Sequence, residues 1–118
     1  MIKDFEELRI WQDAKALTLD IYQSMRNNKD YGFRDQIQRA SVSIMNNIAE
    51  GFDAGSNKLF LRYLHIAKGS CSEVRSMIIL GEELGYFAKG YGSKQENVRL
   101  ISKGIGKLIN HLERSEAQ

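Results

Sequence analysis

The chain has 118 residues, 17 basic and 15 acidic side chains for a net charge of +2, an apolar fraction of 42% and no proline. That length supports one domain around one hydrophobic core, spanning 1–118. The apolar content argues against disorder. The missing proline argues against turn-rich sandwiches and barrels, because it is helix interiors that exclude proline.

No apolar run approaches the roughly 18 residues of a membrane span, and Met1-Ile2-Lys3-Asp4 opens no signal-peptide core. The single cysteine, Cys71, cannot form an intramolecular disulfide. The expected compartment is the cytoplasm, with no membrane partner. Charge is unevenly spread. Residues 1–57 carry 7 basic and 9 acidic side chains, and residues 58–118 carry 10 and 6. The basic excess therefore gathers in the C-terminal half, a polarity that self-association would multiply.

A first helix is predicted over about 5–27. Asp4 followed by Glu7 is a variant capping box. Trp11, Ala14, Thr18, Ile21 and Met25 repeat at helical spacing, with Leu8, Leu17 and Tyr22 widening the face. Trp11 reads as a core or interface anchor, with ligand stacking as the alternative.

A second helix is predicted over 33–52, starting between Tyr31 and Arg34. Its stripe is Ile37, Ala40, Ile44 and Ile48. Beside it run Gln36, Arg39, Ser43, Asn46, Asn47 and Glu50, which are expected to be partly buried. Arg39 can reach a carboxylate on a neighbouring helix, and Glu73 is the natural candidate. Gln36, Arg39, Ser43, Asn47, Glu50 and Glu73 are thus expected to form a polar seam that fixes helix register; a ligand pocket is the alternative. The short turn Asp53-Ala54-Gly55-Ser56 makes the second and third helices antiparallel neighbours.

Ser56 or Asn57 caps a third helix over 57–84. Phe60, Leu64, Ala67, Cys71, Val74, Ile78 and Gly81 form its stripe. Small residues from Ala67 to Ser72 thin its middle, where Ala40, Ser41 and Ser43 can approach. Met77 to Leu80 are four consecutive apolar residues, about 300° of helix surface at about 100° each. They cannot all face one core, so one of them either faces solvent or is buried against another subunit; the second is preferred, at an oligomer interface of Met77, Ile79, Leu80 and Trp11.

Leu84-Gly85 ends that helix. After a loop containing Tyr91, a fourth helix is predicted over 93–113, with Ser93 and Glu96 as its capping box. Val98, Ile101, Ile105, Leu108 and Leu112 keep helical spacing, with Leu100 and Ile109 alongside, and fraying is expected after His111. Glycines 32, 51, 55, 85, 90 and 92 are expected at helix ends. Interior Gly69, Gly81, Gly104 and Gly106 each cost about 1 kcal/mol relative to alanine and so suggest close helix approach. The expected fold is all-α, an up-down-up-down antiparallel four-helix bundle.

Catalytic chemistry finds little support. A di-metal carboxylate bundle needs Glu-x-x-His pairs on two helices. His65 has Arg62 three residues before it, and His111 has Leu108. Zinc would need about four ligands, and none cluster. Cys71 lies on a buried stripe, and no glycine loop precedes a helix as a phosphate cradle. No enzyme activity, metal or cofactor is expected. Arg99, Lys103 and Lys107 recur at i, i+4 and i+8, with Lys94, Arg62, Lys68 and Arg75 nearby. This row can contact phosphates; the simpler reading is a solvated helix face. No aromatic interleaves, so base stacking is not suggested.

The segments Asp35-Gln36-Ile37-Gln38-Arg39-Ala40, Ser43-Ile44 and Asn47-Ile48-Ala49-Glu50-Gly51 closely resemble the bacterial four-helix-bundle proteins of ribosomal RNA intervening sequences. Phe5, Leu8, Trp11-Gln12, Ala14, Ala67, Gly69-Ser70, Glu73 and Glu83-Leu84-Gly85-Tyr86 extend the resemblance over nearly the whole chain. The fourth helix matches only in apolar spacing. Met45 stands where such proteins often have proline, Arg34 where they often have a threonine cap, Leu59 where they often have glutamate and Cys71 where they often have leucine. The resemblance implies a homopentamer without enzymatic activity. It also implies an architecture similar to the accessory proteins of diversity-generating retroelements, which bind nucleic acid and a reverse transcriptase. The expected role is a non-enzymatic oligomer that binds RNA or other nucleic acid through basic outer faces, or alternatively a scaffold for an unidentified protein partner.

Overall fold

Four helices carry the chain: α1 (Arg9–Ser24), α2 (Tyr31–Phe52), α3 (Asn57–Glu83) and α4 (Gly92–Ala117). The computed structural model describes residues 1–88 and 92–117, without the side chains of 92 and 93. The Ser93–Glu96 capping box, the Tyr91 loop and the glycine end expected at 90 lie outside the described residues, while Gly92 stands at the start of α4 as expected. No strand occurs among the described residues.

The first predicted helix is divided. Asp4 and Glu7 do form a capping box, but it caps a single 3-10 turn, Phe5–Glu7. Leu8 then adopts an extended conformation (φ −72°, ψ 124°), and α1 starts anew at Arg9. The break lets Phe5 fold back on Trp11, with ring centroids 5.1 Å apart, edge to face. α1 ends at Ser24, three residues before the predicted end at 27.

α2 starts at Tyr31 because Asp30 caps it, accepting from the Phe33 amide. Ser56 does the same for α3 through Leu59. At the other end of α3, Gly85 takes φ +74°. Its amide reaches Glu82 O at 3.1 Å and the Tyr86 amide reaches Gly81 O at 2.8 Å. This Schellman arrangement needs a left-handed residue at its turn, which glycine adopts without penalty. α4 does not fray after His111 but continues to Ala117, since Glu113 to Ala117 contain neither proline nor glycine.

Cross-helix contacts fix the directions. Gln36 meets Glu73 and Ser43 meets Ser70, so α2 and α3 run antiparallel. Glu82 meets Gln95 and Lys68 lies against Gly106, so α3 and α4 do too. Ile10 lies against Gly104 and Asp20 pairs with Lys94, which returns α1 antiparallel to α4. Each helix packs on its sequence neighbours and α1 closes against α4, giving the up-down-up-down bundle.

The core follows the predicted stripes. Ala14, Ile21, Ile37, Ile44, Ile48, Leu64, Ala67, Val74, Ile78, Val98 and Ile105 are all buried. Tyr22 and Leu100, expected on the apolar faces, are exposed. Both belong to α1 and α4, the least intimately packed pair. Met77 also departs from expectation. Expected at an oligomer interface, it is 8% exposed and sits in the core of the bundle itself. Ile79 and Leu80 face outward, 40% and 48% exposed.

Interior glycines divide by surroundings. A Cβ on Gly81 would collide with the Phe87 and Phe33 rings, and one on Gly104 would lie 2.8 Å from Ile10. Gly69 faces open space, with nothing within 4 Å, so it permits no close approach. The close contact of α2 with α3 is made instead by Ser43 and Ser70, whose hydroxyls lie 2.8 Å apart.

Candidate nucleic-acid interface

Two grooves flank α4 and differ in their charge. Between α1 and α4 lies a groove of about 270 Å³ holding Arg9, Asp13, Asp20 and Lys94. Its charges are paired: Arg9 with Asp13 at 3.0 Å and Lys94 with Asp20 at 3.2 Å. Lys94, grouped with the basic row on sequence grounds, is thus on the other side of α4 and already neutralised.

Between α3 and α4 lies a groove of about 460 Å³. Its walls carry Lys68 and Arg75 from α3 and Arg99, Lys103 and Lys107 from α4, and among the described residues no carboxylate lines it. Arg99 makes a 3.6 Å contact with Glu96 on its own helix. The other four cations make no ion pair among the described residues. Five of the seven basic residues singled out from the sequence therefore meet in one place. Arg62 is exposed elsewhere on α3 and does not line it.

The helix geometry explains the convergence. Arg99, Lys103 and Lys107 rise along α4 in steps of about 6 Å. Val98, Ser102, Gly106 and Asn110 run parallel one position earlier, and all four line the groove. Small residues at 102 and 106 keep the space open between the helices. This second row was legible in the sequence as an i, i+4 series of modest side chains, but nothing there said which helix it faced.

The antiparallel pairing puts Arg75 beside Arg99 at one end and Lys68 beside Gly106 and Lys107 at the other. Lys68 Nζ stands 3.5 Å from where a Gly106 Cβ would lie. Arg75 is half-buried, and its Nε is shielded from solvent without a hydrogen-bond partner. A buried polar group in that state carries a desolvation cost of about 1–3 kcal/mol, more for a charged group. An anionic acceptor entering the groove would relieve it.

Cys71 and Val98 line the groove and are buried, 1% exposed each. Burial pushes the Cys71 thiol up to about 12, against a smaller opposing pull from Lys68. A thiol held protonated is a poor nucleophile. Among the described residues, no three His, Cys, Asp or Glu side chains converge to hold a metal ion.

The polar residues of α2 sit differently from expectation. Arg39 and Glu50 are exposed, and Arg39 makes no ion pair with Glu73. Gln36 donates to Glu73 instead, at a long 3.4 Å. The inner part of the series is tight: Asn47 Nδ2 donates to Ser43 O at 2.8 Å and to Ser43 Oγ at 3.0 Å. The seam is therefore Ser43, Asn47 and Ser70. Ser70 was read from sequence only as a small packing residue.

A sequence profile of the 23S rRNA-intervening sequence proteins matches residues 6–111, from the 3-10 turn to near the end of α4. The chain belongs to that family. This member is a four-helix bundle, and both walls of the basic groove fall within the matched span. No curated protein matches the chain. No helix among the described residues is long and apolar enough to cross a membrane.

Proposed function

We propose that the protein is a non-catalytic, nucleic-acid-associated bundle that holds phosphates on its α3–α4 face. The observation carrying this reading is the groove in which five cations meet without a lining carboxylate. The modest net charge of +2 matters less than this concentration, because local potential governs attraction to phosphates. Membership of the ribosomal RNA intervening-sequence family supports an RNA over other polyanions.

A gel-shift titration with structured RNA at low and moderate salt tests this reading. The expected result is binding that weakens with salt and is lost when Arg99, Lys103 and Lys107 are replaced by glutamine. Binding indifferent to both would overturn it.

A second reading rests on outward apolar residues. Leu59, Ile66 and Leu80 stand seven and then fourteen residues apart on α3 and are 42–48% exposed, and multiples of seven keep them on one side of the helix. Such a stripe fits contact with another protein. We propose that Leu80 and the neighbouring Ile79 meet a further copy of this chain. Light scattering should then give a multiple of 13.5 kDa. A monomer at micromolar concentration would remove this part, leaving a pull-down after nuclease treatment to reveal any other protein partner.

A further inference from the structure

We propose that the α3–α4 groove takes one polynucleotide strand in single-stranded form, its backbone lying along the groove and three successive phosphates held between the helices. This rests on the nucleic-acid reading above and specifies the form of the ligand.

The cations form a ladder. Arg75 and Arg99 face each other at one end, Lys103 stands midway beside Cys71, and Lys68 and Lys107 close the other end. The steps along α4 are about 6 Å, close to the spacing of neighbouring phosphates on one strand. The two walls belong to packed helices whose axes are about 8–10 Å apart. The groove of about 460 Å³ between their outward side chains takes a single backbone, whereas a duplex, far broader, rests on its rims.

Arg75 separates the two cases. It is half-buried where Lys68, Arg99, Lys103 and Lys107 are exposed, and its Nε lacks a hydrogen-bond partner, so a phosphate seated deep in the groove satisfies it best. A strand's phosphate can sit that deep; the convex surface of a duplex meets the exposed Arg99, Lys103 and Lys107 first. Among the described residues the groove carries no aromatic side chain. Without stacking platforms the binding is electrostatic and indifferent to base identity.

Fluorescence anisotropy on the full chain tests the proposal, using a labelled 12-nucleotide oligouridylate and a labelled RNA duplex of mixed sequence. Three phosphates predict a slope of log affinity against log salt of about −2, at about −0.7 per phosphate for single strands. The strand should bind at least tenfold more tightly than the duplex. Two variants probe the groove itself. Gly106→Leu fills it while keeping every charge, and its Cβ meets only the flexible end of Lys68 at 3.5 Å. Arg75→Gln removes the shielded guanidinium. Each should weaken the strand at least tenfold and the duplex by less; circular dichroism confirms that the helices remain.

Duplex binding as tight as strand binding, or strand binding unchanged in Gly106→Leu, overturns the single-strand proposal. If the triple glutamine variant still loses binding in that case, the broader reading stands. If neither probe binds with salt dependence, both fall together.

Discussion

Tyr86 donates its phenolic hydrogen to Asp30 Oδ2 at 2.6 Å, tying the start of α2 to the end of α3 across 56 positions of sequence. The other oxygen, Oδ1, accepts from the Phe33 amide and caps α2. Phe33 in turn lies edge to face against Tyr86, centroids 5.1 Å apart. The Schellman turn at Gly85 sets the height at which Tyr86 leaves α3, so one carboxylate joins a helix cap, a helix stop and an aromatic pair.

This pair predicts pH sensitivity at both extremes. The hydrogen bond from Tyr86, then that from Phe33, lowers the Asp30 carboxyl. Its contribution is present above the ordinary value of 3.8 and is lost as pH falls through the lowered folded value. The same bond, with burial and the nearby negative charge, raises Tyr86. That contribution is present below 10.0 and is lost as pH rises through the raised folded value. Thermal unfolding across pH should show Tyr86→Phe less stable than wild type at neutrality, with a shallower fall at either end. Parallel curves for the two proteins would mean that the bond does not form in solution.

Gly51 and Gly69 should respond oppositely to alanine. A Cβ at Gly51 would stand 2.8 Å from Tyr63 Cβ and from the Phe60 ring. Tyr63 Cβ is anchored to the α3 backbone and cannot swing away, so Gly51→Ala should cost about 1–3 kcal/mol. Gly69 has open space around it, and Gly69→Ala should gain about 0.4–1 kcal/mol by narrowing the unfolded ensemble. Urea midpoints read both.

Along the α2–α3 seam, Ser70→Ala should cost about 0.5–1.5 kcal/mol, since it removes the partly buried bond to Ser43. Arg39→Ala should stay within about 0.5 kcal/mol of wild type, as exposed side chains without partners usually do. The reverse order would restore Arg39 to the seam.

Cys71 should resist thiol reagents in the native protein. Burial holds it at about 12, so at pH 8 its thiolate is scarce and shielded. Labelling should be slow until guanidinium unfolds the chain, then complete. Since the folded value lies above the ordinary 9.0, Cys71 also makes stability decline as pH rises past 9.0 toward 12. Rapid native labelling would show that the groove floor opens.

The sequence by itself determined the four helices, most of their buried stripes and the antiparallel order. Each of these depends on spacing along one chain: apolar residues at three and four, a cap at Ser56, a turn too short for anything but a hairpin of helices. It also held the cationic row at 99, 103 and 107, because an i, i+4 series is local. Only the tertiary structure decided which side of the bundle each cation occupies. Lys94 and Arg99 are five positions apart on α4, yet Asp20 draws one toward α1 and the other lines the groove beside α3. The same limit explains why Glu73 meets Gln36 and not Arg39, and why Met77 turns inward while Ile79 and Leu80 do not. Helical periodicity fixes an angle about one axis. The rotation of that axis relative to its neighbours comes from packing, through contacts such as Ser43 on Ser70 and Gly51 beneath Tyr63 that join residues distant in sequence.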